Sequence, residues 1–265
     1  KMSGNLGIQN MNYVAADMPP VKINDLQMDF TPRAVNVTNF NSNLGKSDLQ
    51  ASGSVDNILA YFSPEKTMTG TFTVRSTYFN ADEWMVEGSE ESAVGGSVSE
   101  GGGSGEVKVE EMFNRFDFDL DAKIDELDYD TYDIKNIVAK GSFNPNELAI
   151  NQFGMDIGDS DLSGSGVLTN VWNYVFKNET LGGNLNLNSD YFDLNQFMTE
   201  EEVTTETTEA PVATEPILVP DNVNVTVAAD MKKVHYDNMD LNNIRGTLMV
   251  ADEAVRLKDV KAKTL

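Results

Sequence analysis

The chain contains no cysteine and a single histidine, His235, among its 265 residues. The first absence removes disulfides, thiolate nucleophiles and zinc–thiolate sites. The second removes any triad built on a histidine base and any metal site needing several imidazoles. Positive charge is scarce: 19 Lys and Arg stand against 43 Asp and Glu, a net charge of −24. Neutralising phosphates takes clustered cations, so this balance argues against a nucleic-acid ligand and against simple electrostatic docking to an anionic bilayer. No apolar run reaches the roughly 18 residues of a membrane-spanning helix. Hydrophobic content is nevertheless 40%, ordinary for a folded protein, so acidity here does not mean disorder.

What is present in quantity is repetition. Residues 30 to 85 recur without a gap as residues 143 to 198, and 17 of the 56 aligned positions are identical, among them Pro32/Pro145, Gly45/Gly158, Ser47/Ser160, Asp48/Asp161, Gly53/Gly166, Gly70/Gly183 and Tyr78/Tyr191. Upstream of each copy stands a shorter signature, Ile8-x-x-Met11-x-Tyr13 and Ile124-x-x-Leu127-x-Tyr129. Met231-x-x-Val234-x-Tyr236 opens a third copy, and Asp240-Leu241-x-Asn243-Ile244 matches Asp133-Ile134-x-Asn136-Ile137. The third copy stops at Leu265 part-way through the unit, and the chain begins without Met, as expected of a piece of a longer polypeptide. Repeats of this length stack one structural unit on copies of itself and build an extended surface.

Within the repeats the dominant period is two. Phe116, Phe118, Leu120, Ala122 and Ile124 alternate with Asp117, Asp119, Asp121, Lys123 and Asp125, the pattern of a strand with one dry and one wet face. Val223, Val225, Val227, Ala229 and Met231 repeat it, and shorter versions occur at Val35/Val37, Phe72/Val74, Leu148/Ile150, Leu185/Leu187 and Val255/Leu257. Turn residues at Pro32/Pro145, Gly45/Gly158, Gly53/Gly166 and Gly70/Gly183 divide these runs. Helix is limited to residues 56–62 and 169–176, with Asp56 and Thr169 as N-caps, and to single turns at 81–85 and 194–198. The expected fold is mostly β: repeated antiparallel strands in an elongated, curved, twisted sheet with an open groove and a few short helices. The divisions are 1–86 (first repeat), 87–111 (an acidic Gly/Ser-rich loop), 112–198 (second repeat), 199–216 (an acidic Thr/Glu/Pro-rich loop) and 217–265 (partial third repeat). Neither loop carries enough apolar surface to offset the entropy of ordering, so both are expected to be mobile.

No catalytic constellation emerges. Asp117-x-Asp119-x-Asp121 has carboxylates at alternate positions, but a calcium loop needs Gly sixth and Glu twelfth, where Ala122 and Asp128 stand. Asp156 to Asp161 reads as a turn, and His235 as a polar-face residue of its strand. Gly164-Ser165-Gly166 is placed in a turn between strands with no base in reach, and Gly101 to Gly105 leads into no lysine-bearing helix. Three glycosylation-type sequons, at Asn36, Asn178 and Asn224, are explained by composition alone. No metal, cofactor or catalytic residue is expected, and the chain reads as non-enzymatic.

The ordered series Ile124-x-x-Leu127-x-Tyr129, then Leu162-Ser163-Gly164-Ser165-Gly166-Val167-Leu168 with Leu49 to Val55 as its looser counterpart, then Gly183 to Asn195, resembles the strand-rich C-terminal part of the AsmA-like family of Gram-negative envelope proteins. That resemblance implies a protein anchored in the inner membrane by a segment outside this sequence and projecting through the periplasm. It also implies similarity to bridge-like lipid transfer proteins, with phospholipid acyl chains in an apolar β-groove and envelope proteins at either end. The groove candidates are Val35, Val37, Phe72, Val74, Phe116, Phe118, Leu120, Ala122, Ile124, Leu148, Ile150, Leu185, Leu187, Val223, Val225, Val227, Ala229 and Met231. The function expected is phospholipid transport between membranes or outer-membrane assembly and homeostasis. Two alternatives stay open: a structural or adhesive β-repeat with a closed core and no lipid, and a calcium-stabilised repeat.

Overall fold

A computed structural model describes residues 3–15, 18–58, 67–84, 115–197, 222–251 and 254–263. β1 (Gly4–Ala15), β2 (Met18–Phe30), β3 (Ala34–Leu44), β4 (Ser47–Asp56) and β5 (Met68–Asn80) form an antiparallel meander. β6 (Phe116–Tyr129), β7 (Tyr132–Phe143), β8 (Glu147–Ile157), β9 (Ser160–Thr169) and β10 (Leu181–Ser189) repeat it. After the two-residue β11 (Phe192–Asp193), β12 (Val223–Tyr236), β13 (Met239–Ala251) and β14 (Ala254–Lys263) reproduce its first three strands. The units join through parallel pairs, β5 with β6 and β10 with β12. An odd number of antiparallel strands requires this, because the fifth runs the same way as the first. The acidic segments 87–111 and 199–216 fall in the two return connections and lie outside the described residues, as do 59–66, Met85 and Met198.

All fourteen strands belong to one open sheet, with β1 and β14 as its two edges. At about 4.8 Å per strand, thirteen strands in line extend roughly 58 Å, and the usual 20° twist per step accumulates to about 240°. A sheet of this width curls. Glycine directs the curl. At Gly53, Gly70, Gly166 and Gly183 a carbonyl oxygen of a neighbouring strand lies 2.2–2.5 Å from where a Cβ would stand. These four lie in mid-strand, not in turns, and so does the whole of Gly164-Ser165-Gly166. Glycine reads as a turn in sequence, but here it lets neighbouring backbones approach. The hairpin glycines are Gly45 and Gly158, with φ of +60° and +54°.

Alternation along these strands shifts phase at bulges, one of which recurs in every unit. Ile124 pairs with Ile137 and Leu127 with Ile134, three residues apart on both strands. Asn136 in β7, with φ +52°, is the extra residue of a bulge against β8, where Val138 opposes Gly154 but Lys135 opposes Asp156. One inserted residue returns Ile134 to the face that Ile137 occupies. The third unit does the same with Asn243 (φ +53°), and the first places a bulge at Asn24 of β2 and a left-handed Asn10 (φ +53°) opposite it in β1. The three-residue step in each Ile-x-x-Leu-x-Tyr signature is therefore a correction that keeps apolar residues on one side.

The most strongly repeated side chains hold the ends of the strands. Ser47 Oγ accepts the Asn80 amide at 2.9 Å, and Ser160 Oγ accepts that of Asp193 at the same distance. Asp48 accepts the amides of Thr77 (2.9 Å) and Tyr78 (2.8 Å) and the Thr77 hydroxyl (2.6 Å). Asp161 does the same for Asp190 and Tyr191, at 3.0 and 2.7 Å. Burial raises the Asp48 pKa, but the bonds from Thr77 and Tyr78 together outweigh it and hold the carboxyl below its usual value. Each fifth strand then passes into a short 3-10 turn, Asp82–Trp84 or Leu194–Phe197, as the sequence led one to expect. These turns reach into the next unit: Asp82 accepts the Asp130 amide at 2.7 Å, and Asn195 that of Asp237 at 2.8 Å.

The one described α-helix, α1 (Val171–Lys177), begins later than the sequence suggests. Thr169 remains in β9, and the N-cap is Asn170 in the left-handed region, with no side-chain capping bond. Asn170 instead donates from Nδ2 to the Thr180 carbonyl, closing the loop to β10. Asp56 likewise belongs to β4.

Asn136→Val is expected to cost about 1–2 kcal/mol in urea denaturation, because a β-branched residue is strained at that φ, whereas Asn136→Gly stays close to wild type. Asp48→Asn is expected to cost about 1–2 kcal/mol at neutral pH. A depressed carboxyl stabilises above its unfolded value of 3.8 and loses that contribution as pH falls through the folded one. The deficit of the variant in acid-denaturation curves therefore shrinks as pH drops below about 4.

Candidate functional site

The strand registers join residues from distant parts of the chain into rows that run across the sheet. One row is unbroken from Gly4 through Phe30, Val35, Val55, Gly70, Phe118, Phe143, Leu148, Leu168, Gly183, Val225 and Val250 to Val255. A second runs from Leu6 through Met28, Val37, Gly53, Phe72, Leu120, Gly141, Ile150, Gly166, Leu185, Val227 and Leu248 to Leu257, through the same pairings. A third runs from Ile8 through Leu26, Phe40, Ala51, Val74, Ala122, Ala139, Phe153, Gly164, Leu187 and Ala229 to Gly246. Every position in the three is Gly, Ala, Val, Leu, Ile, Met or Phe.

These rows collect most of the groove candidates, and the remaining four flank them on the same face. Phe116 lies opposite Met68 and Val223 opposite Leu181 at one end. Ile124 pairs with Ile137 and Met231 with Ile244 toward the other. Register thus places Leu148/Ile150 and Leu185/Leu187, whose faces strand periodicity leaves open, on the shared floor. Sequence reasoning did not name Phe40, Phe153, Leu162 or Ile134 as groove residues. A bulge separates Phe40 from Val37 and Phe153 from Ile150, so simple alternation loses them.

Short elements cover the two rims and leave the middle open. At one rim Trp172 of α1 stands edge-on to Phe116 at 5.6 Å, and its Nε1 donates to the Asn144 carbonyl at 2.8 Å. At the other, Phe197 of the second 3-10 turn stacks on Phe192 (5.1 Å) and Tyr132 (5.7 Å). Within the three rows only Leu26 and Val225 are buried, and exposure climbs at the sheet edges, to 44% at Leu6 and 66% at Leu257. A contiguous apolar face this extensive is uncommon on a soluble monomer unless something occupies it.

The floor is level. Rings and branched chains lie over the glycines beside them: Phe72 over Gly53, Phe153 over Gly164 and Leu185 over Gly166, at 2.6–2.9 Å from where a Cβ would stand. Two depressions have mainly polar linings, one of about 480 Å³ on β1–β3 that also touches Leu6 and Met28, and one of about 470 Å³ at the rim beside Tyr132, Gly158 and Gln196.

The opposite face is polar and charged. Asp117, Asp119 and Asp121 stand across from Thr69, Thr71 and Thr73, on the wet side of β6 as the alternation implies. Asp121 bridges Lys140 (2.9 Å) and Arg75 (2.8 Å), and the hydrogen bonds from these two cations, Lys140 first, depress its pKa. Asn184, Asn186 and Asn188 are exposed on the same side. His235 Nδ1 lies 2.8 Å from Asp240 Oδ1, in an ion-pair cluster with Lys233.

An environment-sensitive apolar dye is expected to bind the native protein, since this face presents what dyes of that kind report. Ala122→Asp and Ala229→Asp, each placing a carboxylate on the floor, are expected to reduce the fluorescence several-fold in titration without loss of strand signal in circular dichroism.

No family model, no curated protein and no solved structure matches the chain.

Proposed function

We propose that this chain is a segment of a non-enzymatic lipid conduit, in which phospholipid acyl chains lie along the open apolar face and move across the strands. The observation that carries the reading is the set of three rows without a single charged or amide side chain, continuous through all three repeat units. An acyl chain gains about 0.8 kcal/mol per buried methylene. Chains on an open floor are only partly buried, so several methylenes hold a lipid while no single contact fixes it. A shift of one strand, about 4.8 Å, presents a floor of the same chemistry, so sliding exchanges like for like. Rings and branched chains fill the space above Gly53, Gly164 and Gly166, so the floor stays apolar where it lacks side chains.

Together with the resemblance to AsmA-like proteins, this supports a role in phospholipid movement between membranes, or in outer-membrane assembly and homeostasis, within a periplasm-spanning protein anchored in the inner membrane. A structural or adhesive repeat built on the same sheet is the second reading, and it requires no occupant.

Protein purified without detergent is expected to release phospholipid on organic extraction, identified by mass spectrometry. In a vesicle-to-vesicle transfer assay a single Ala122→Asp exchange is expected to lower the rate about tenfold or more, because a conduit works in series and one buried charge blocks it. Preparations free of lipid that also fail to take up a fluorescent phospholipid would rule the conduit out in favour of the structural repeat.

A further inference from the structure

The Tyr that closes each Ile-x-x-Leu-x-Tyr signature carries a hydroxyl that the fold does not use. Tyr129 and Tyr236 stand two residues beyond Leu127 and Val234, on the groove side, at the rim where these strands end. Tyr13 holds the same place in β1, two residues beyond Met11. Tyr129 lies in the middle of the sheet, its strand flanked by β5 and β7, and is still 43% exposed. Its hydroxyl and that of Tyr236 have no hydrogen-bond partner among the described residues. Tyr78, by contrast, gives its hydroxyl to Asp128. The stack of Phe192 on Phe197 shows that an unsubstituted ring suffices for packing at this rim. A hydroxyl kept in every unit without a protein partner is available to a ligand.

The residue after Tyr129 and after Tyr236 is an exposed carboxylate at a hairpin tip, Asp130 or Asp237. Neither of them, nor Asp159 at the tip of the β8–β9 hairpin, has a cationic partner among the described residues. Each of these two strand ends therefore runs outward from an aliphatic side chain, Leu127 or Val234, through a hydroxyl to a carboxylate. A phospholipid with an amine in its headgroup has the complementary order: acyl chain, then ester and phosphate oxygens, then ammonium.

We propose that phospholipid headgroups ride along the rim marked by Tyr129 and Tyr236, and that this rim selects zwitterionic, amine-bearing phospholipid over anionic phospholipid. The assignment rests on the groove carrying phospholipid. The tyrosine hydroxyls donate to ester or phosphate oxygens, and the carboxylates at the tips attract the ammonium beyond them. A headgroup without an amine brings only its phosphate charge to the same carboxylates and is repelled. A unit charge about 7 Å from a carboxylate in water changes affinity about threefold. Tyr129 and Tyr236 are positioning residues that recur once in five strands, about 24 Å apart, so a headgroup is held at intervals and released between them.

The test incubates the chain with vesicles of equal phosphatidylethanolamine and phosphatidylglycerol with matched acyl chains, re-isolates it and identifies the bound lipid by mass spectrometry. Wild-type protein is expected to carry phosphatidylethanolamine over phosphatidylglycerol by about threefold or more. Asp130→Asn/Asp237→Asn is expected to bring the ratio to that of the vesicles, and Asn is at home at the φ of +53° found at both tips, so the hairpins are kept. Asp117→Asn/Asp119→Asn, the same change of charge on the outer face, keeps the wild-type ratio. Tyr129→Phe/Tyr236→Phe is expected to lower phospholipid uptake about threefold at limiting lipid, with binding of the apolar dye unchanged. Equal uptake of the two lipids by wild type, a tip variant that keeps the wild-type ratio, an outer-face variant that abolishes it, or a Phe variant that takes up phospholipid like wild type each overturns the inference and leaves the conduit standing. Uptake of neither lipid overturns the conduit and this inference with it.

Discussion

Everything in this molecule depends on keeping one face of thirteen consecutive strands dry. Side chains in a strand alternate with a period of two, so one uncorrected residue would turn an apolar set outward and a polar set inward. Long strands with strong twist accumulate such errors. The bulges at Asn24, Asn136 and Asn243 correct the phase at a matching place in each unit, and further bulges lie between Val37 and Phe40 and between Ile150 and Phe153. That is why Ile-x-x-Leu-x-Tyr recurs with a three-residue step among residues that otherwise alternate. Because the phase holds, apolar rows cross both parallel junctions and the groove is a property of the whole chain.

A single layer is an uneconomical way to bury hydrophobic surface. Most floor residues remain half-exposed, and only five apolar side chains, Leu26, Phe116, Val225, Met231 and Val234, are buried among the described residues. Polar ties at the strand ends therefore carry an unusual share of the order. The Ser47 and Ser160 hydroxyls, the Asp48 and Asp161 carboxylates and the two 3-10 turns anchor the fifth strand of each unit and the first hairpin of the next. Ser47/Ser160 and Asp48/Asp161 are identical in the two copies, whereas the turn residues Asp82 and Asn195 differ in type and keep the same contact. The polar clamps hold the edges of the trough while its interior stays free of polar groups, so the arrangement that stabilises the fold also leaves the surface available to an apolar guest.

Much of this was legible beforehand. The internal repeat, the alternation in Phe116 to Ile124 and Val223 to Met231, the hairpins at Gly45 and Gly158 and the single turns after each fifth strand all lie where local pattern placed them. Local pattern misled where one residue type serves two physical ends. Gly53, Gly70, Gly166 and Gly183 read as turns because glycine permits turns, yet here it permits close approach of strands. Thr169 reads as a cap, yet the chain stays extended through it because Gly182 pairs with it across the sheet. Phe40 and Phe153, identical in the repeat, were not placed in the groove because a bulge lies between each and the alternating run before it.

What the sequence by itself determined is the repeating unit, its β character and the chemistry of two faces, since these follow from composition and from periods of two within one strand. The tertiary structure alone decided that the units join through parallel pairs, that the sheet stays open, and that one uncharged floor runs from β1 to β14. Those properties depend on which residue of one strand stands beside which residue of another. Such pairings are set by hydrogen bonds between segments far apart in the chain, and no window along it contains them.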